Sequence, residues 1–179
     1  MSIYNKTKMI AERVLLSYSN KLKIYCVRPA TVCGYSPKMR FDISVNMLTL
    51  QALKTKRIKV FGGSQIRPNI HIKDLTNLFK NLIFKNIEPG IYNAGFDNTK
   101  IIDLAKKIKN KIPCKINVTK SNDPRSYRQN SDKIIRSGFV KKYGIEDAID
   151  EIQKKFNKKL IKDTINCYNL KKMKKLKIK

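Results

Sequence analysis

Short apolar runs alternate along this chain with apolar stripes at helical spacing, and that alternation is its strongest constraint on a fold. KLKIYCVRP predicts a strand from Lys23 to Arg28, stopped by Pro29, whose ring fixes φ and removes a ladder donor. IKVFGGSQIRPNIHIKD predicts a strand, a Gly-Gly turn and a second extended piece. IYNAG and IPCKINVTK predict two more strands, and Gly95 marks a place where a ligand or backbone comes close. Helical stripes fill the intervals. One helix runs from Ile3 to about Ser19, through Val14, Leu15 and Tyr18. A second runs from about Phe41 to Thr55, with Phe41, Val45, Leu48 and Leu53 turned inward. Asp74 stands as N-cap to a third, striped by Leu75, Leu78, Phe79, Leu82 and Ile83. Ile101, Leu104, Ala105 and Ile108 mark a fourth, Gly138 ends a short one, and Ile145, Ala148, Ile149, Ile152 and Phe156 mark the last. Helices alternating with short, apolar strands predict an α/β architecture with buried, partly parallel strands. Residues 1–157 are expected to form the folded domain and 158–179 a basic C-terminal tail.

Charge is the second constraint. The formal net charge of +27 suggests nucleic acid as a partner. Yet Lys outnumbers Arg about four to one, and the lysines are spread over every segment. Base and phosphate recognition leans on the planar guanidinium fork, so scattered lysines speak against a dedicated nucleic-acid groove. A basic nucleic-acid-binding or non-catalytic interaction module therefore stands as the alternative reading. Cys26, Cys33, Cys114 and Cys167 form no C-x-x-C pair, and His71 is the one histidine, so no zinc site is expected. No apolar run is long enough to span a bilayer, and charged positions interrupt every apolar cluster near Met1. A soluble, cytoplasmic protein without membrane partners is the expectation.

Chemistry enters with Tyr4 and Lys8, which share a helical face at i, i+4. Spacing alone decides nothing here, since Tyr168 and Lys172 repeat it in the basic tail. Order decides more. A helix with Y-x-x-x-K, a strand ending R-P, a V-x-G turn, another helix, and then FGGSQIRPNIHIKD follow one another. That succession resembles the C-terminal half of the extended short-chain dehydrogenase/reductases, the NAD-dependent sugar-nucleotide epimerases and dehydratases. The loop NDPRSYRQNSDKIIRSGF resembles a late loop of the same family.

The resemblance implies the end of a Rossmann-type parallel sheet interleaved with a small α/β substrate lobe. It also implies that the glycine-rich N-terminal half is missing, because the seven glycines form neither G-x-x-G-x-x-G nor G-x-G-x-x-G. Ser2 is too close to Tyr4 to stand for the family's catalytic Ser or Thr.

By resemblance Tyr4 is the general acid/base, and Lys8 biases it and holds the cofactor ribose. A free phenol, with a pKa of about 10, is a poor base at neutral pH, and a neighbouring ammonium favours its phenolate. Pro29, Ala30 and Val32 would line the nicotinamide pocket of NAD or NADP. Thr31 would face the sugar, in place of the family's usual asparagine. Arg67 would hold the diphosphate of a nucleotide-sugar substrate, as guanidinium suits phosphate oxygens, and Lys120 and Arg125 would bind the substrate from in or beside the polar loop that folds over its nucleotide. His71 is expected to be structural, and Asp74 a cap and not an acid catalyst. Epimerisation, dehydration and reduction all fit the pattern. The chain alone is expected to turn over little or nothing, with another polypeptide as the possible source of the N-terminal Rossmann half.

Overall fold

The computed structural model describes residues 3–120 and 125–176. Helix α1 (Ile3–Leu16) opens the chain and buries none of its side chains. It ends three residues earlier than the stripe suggests, in turns closed by bonds such as Leu22 N–H to Tyr18 O at 2.9 Å. Glu12 ties it to Arg28, whose Nε donates at 2.8 Å.

Strand β1 (Tyr25–Pro29) pairs in parallel with β5 (Gly90–Ala94). Pro29 is its last residue and does not stop it at Arg28 as expected; the next bond comes from Ala30 N–H to Ala94 O at 2.8 Å. Strand β4 (Ile66–His71) has β2 (Thr31–Cys33) parallel on one side and β6 (Asp97–Lys100) antiparallel on the other. Strand β2 is too short, and β6 too polar, to show as an apolar run. Strand β3 (Arg57–Phe61) pairs in parallel with β7 (Lys115–Thr119). The architecture is therefore α/β with parallel sheets, as the alternation predicts.

Two cores result. The larger is enclosed by α2 (Ser44–Thr55), α4 (Ile101–Lys111) and α6 (Ile145–Asn157) against β3. Phe41, Val45, Leu48 and Leu53 are all buried there, although Phe41 precedes the helix. The smaller lies between β4, β5 and helix α3 (Ile72–Phe84), with Leu78, Leu82, Tyr92 and Phe139. The short helix α5 (Asp132–Arg136) adds Ile134, and Gly138 follows it at φ 88°, the left-handed region glycine favours.

Two sequence readings are corrected here. Asp74 is not the N-cap of α3. His71 is, its Nδ1 accepting from Lys73 N–H at 3.2 Å. Asp74 lies one turn inside, fully buried, and its carboxylate accepts the N–H groups of Lys142 and Tyr143 at 3.2 and 2.9 Å. It joins α3 to the approach of α6, which no local pattern could show. Phe79 and Ile83, assigned to the buried stripe, are 46% and 71% exposed.

Of the basic segment beyond Lys158, Ile161, Cys167 and Tyr168 pack on the larger core. A 3-10 turn (Ile165–Cys167) buries Cys167, and helix α7 (Asn169–Lys175) follows.

Candidate active site

One cleft of about 860 Å³ gathers much of what the sequence singled out. Its floor is the chain passing from β1 into β2: Pro29, Ala30, Thr31, Val32, Cys33 and Gly34. Gly34 has φ 105°, and a Cβ there would sit 2.8 Å from His71 Nε2, so neither conformation nor space admits another residue.

Beyond Gly34 the chain loops out before α2 and brings Ser36, Lys38, Arg40 and Ile43 to the cleft. Buried Asn46 on α2 ties both ends of this loop. Its Oδ1 accepts Gly34 N–H and its Nδ2 donates to Arg40 O, each at 3.1 Å.

The opposite wall is Tyr127, Arg128 and Gln129. Asn98 on β6 clamps that loop by accepting Gln129 N–H at 2.9 Å and donating to Gln129 O at 3.0 Å. Gln129 Nε2 in turn donates to Arg28 O at 2.8 Å. At Gly95, where a ligand or backbone is expected to come close, the approach is made by side chains: a Cβ there would lie 2.3 Å from Gln129 Oε1 and 2.7 Å from Ala30 Cβ.

Tyr4 lines the cleft from α1, 67% exposed. Lys8 Nζ stands 5.7 Å from the centroid of the Tyr4 ring, so the two share one side of the helix. Lys8 is not itself among the cleft-lining residues.

Arg67 occupies an adjoining pocket of about 280 Å³ that shares Thr31, Ile43 and Tyr127 with the cleft. Its guanidinium lies 5.4 Å from the Tyr127 ring centroid, and Nη1 donates to the carbonyls of Ile66 and Arg125. Arg67 thus fastens the polar loop to β4. Arg125 and Lys120 are exposed and outside the cleft lining.

The cations that do line the cleft are Lys38, Arg40 and Arg128. Sequence reasoning passed over all three, since nothing local separates them from the other basic residues of a chain with 40. An apolar floor, a phenol at one side and three cations around it suit a ligand with a flat or sugar-like body and an anionic end.

His71 beneath the floor is structural. Its side chain is fully buried and stacks on Tyr143 at 5.1 Å, while Nε2 lies 3.2 Å from Glu151 Oε2, off a hydrogen-bonding line. Burial pushes its imidazole below the ordinary 6.5, with Glu151 opposing in part.

Residues 1–95 match the model of the NAD dependent epimerase/dehydratase family. The chain belongs to that family. The match takes in Tyr4, Lys8, the floor and the Lys38–Arg40 loop, while Tyr127, Arg128 and Gln129 come from beyond it.

Solved structures share the fold of this family member. Pal from Bacillus thuringiensis is 22% identical with a TM-score of 0.74, over 87% of this chain and 53% of its own. UDP-N-acetylglucosamine 4-epimerase from Bacillus cereus is 21% identical with a TM-score of 0.73, over 86% and 56%. dTDP-glucose 4,6-dehydratase from Bacillus anthracis, solved with NAD, is 21% identical with a TM-score of 0.71, over 88% and 53%. The chain spans about half the length of these structures.

Proposed function

We propose that this chain supplies the acid/base and substrate-binding part of an NAD(P)-dependent sugar-nucleotide epimerase or dehydratase, in a cytoplasmic setting. The observation that carries the reading is Tyr4, with Lys8 one turn on, at the side of a cleft floored by Pro29 to Val32. Three solved neighbours carry NAD, and two of them, UDP-glucuronic acid 4-epimerase from Bacillus cereus and MoeE5, also carry UDP-glucuronic acid.

In this reading the Tyr4 phenolate takes the proton of a sugar hydroxyl, and the Lys8 ammonium favours the phenolate. Thr31 faces the sugar, and Arg67 with the loop it fastens receives the diphosphate, Lys120 and Arg125 standing further out. Bound NAD(P) would supply the hydride acceptor, its nicotinamide end against Pro29, Ala30 and Val32 and its ribose at Lys8. Ala30 and Val32 are half-buried and Pro29 is exposed, and these three apolar residues fit the nicotinamide end of the cofactor. The pyrophosphate end has no glycine-rich cradle within the 179 residues.

The cradle is proposed to come from a polypeptide that adds parallel strands to β1. Among the described residues β1 has β5 as its one ladder partner, and Tyr25, Val27, Phe79 and Ile83 line an open groove beside it. Alone, the chain is proposed to have little or no turnover.

The test is reconstitution with a polypeptide bearing a G-x-x-G-x-x-G Rossmann half. NAD binding by calorimetry and turnover of UDP-sugars should appear together in the mixture. Tyr4→Phe should then lower turnover about 100-fold or more while NAD still binds. Turnover indifferent to Tyr4→Phe refutes the role of the phenol, and micromolar NAD affinity of the chain alone refutes the need for a partner.

A further inference from the structure

The basic segment after α6 reaches the cleft without touching it. Asp163 meets Lys54 Nζ at 2.5 Å. Burial, with the Asp163 carboxylate nearby, pushes the Tyr168 phenol up to about 12. Cys167 is 6% exposed in the larger core, and Tyr168 packs against Phe41 with ring centroids 6.3 Å apart.

Two hydrogen bonds then join this segment to the loop before α2. Phe41 N–H donates to Cys167 O at 2.8 Å, and Asn169 N–H donates to Asp42 Oδ2 at 3.0 Å. Asp42 grips Arg40 with both oxygens, Nε to Oδ1 at 3.0 Å and Nη2 to Oδ2 at 3.1 Å. Burial alone would raise the Asp42 carboxyl; the bonds from Arg40 and Asn169 outweigh it and hold the group below its ordinary 3.8. Arg40 lines the cleft. One line of hydrogen bonds therefore runs from the Asn169 N–H through the Asp42 carboxylate to a guanidinium at the ligand site.

We propose that residues 164–176 form a strap that positions Arg40 to receive the anionic end of the cleft's ligand, a phosphate or diphosphate. The ligand class rests on the reading above; the positioning does not. An arginine side chain left to itself samples many rotamers, and a carboxylate fixed from behind removes that freedom before the ligand arrives.

The donor is a backbone group at the first residue of α7, where proline is tolerated and leaves the helix intact. Tyr168 before it is extended (φ −128°, ψ 96°), as a residue preceding proline prefers. Asn169→Pro thus deletes one N–H, and Asn169→Ala keeps it.

In the full chain, the Arg40 Nε–Hε signal followed by NMR should move toward that of free arginine in Asn169→Pro and stay in place in Asn169→Ala. UDP is the ligand probe. Its affinity should fall about threefold to tenfold in Asn169→Pro and in Arg40→Ala, with no further fall in the double variant, because both act through one contact. Additive losses, or an Asn169→Pro chain with Arg40 signal and affinity unchanged, overturn the strap. If the unaltered chain binds no UDP, the ligand reading fails, and the Arg40 signal alone decides the strap.

Discussion

In the lobe built from α2, β3, α4 and α6, Leu104, Ile149 and Ile152 are wholly enclosed. On the side of β1 and β5, α1 encloses no side chain, and Ile83 and Phe84 on α3 stand 71% and 83% exposed. The same apolar residue types thus do opposite things within one chain. Burial of an isoleucine contributes about 1.5–3 kcal/mol, so the lobe holds itself together while the β1 side leaves comparable surface in water. Exposed apolar surface of that kind is what the proposed Rossmann half would cover. The cleft lies between, with its floor on the open side and its cationic loop anchored in the closed one.

Truncation probes that contrast most strongly. Ile149→Ala should cost about 3 kcal/mol in urea unfolding, from lost burial and the cavity left behind. Ile83→Ala should stay under about 0.5 kcal/mol, and a cost there as large as at Ile149 would mean that α3 is covered in solution.

Next comes the joint between the regions. Asp74→Ala should cost about 2 kcal/mol, since it strands the N–H groups of Lys142 and Tyr143 in a closed site. Hydrogen exchange should show those two amides losing protection first.

The smallest effect is the pH slope set by His71, the one histidine. Its folded pKa lies below the ordinary 6.5, so the unfolded chain binds the proton first. Stability should be fully present above 6.5 and fall as pH drops toward the folded value, by up to about 1.4 kcal/mol per pH unit. His71→Asn retains a capping oxygen and should flatten that slope in unfolding measured across this range. An unchanged slope would place the titration elsewhere.

Periodicity alone determined the α/β alternation, the inward stripes of α2, α4 and α6, and the shared helical face of Tyr4 and Lys8. All of these follow from backbone geometry over neighbouring residues. Strand β2 escaped because it is three residues long, and β6 because its four residues are all polar. What only the tertiary structure decided is which polar groups meet. Arg40, Arg128 and Lys38 converge on the cleft, Asp74 caps the approach to a distant helix, and the Asn169 N–H reaches Asp42 across 127 positions. One cation of 40 carries no mark of its destination, because long-range contacts are set by how the elements pack and not by the residue's own neighbours.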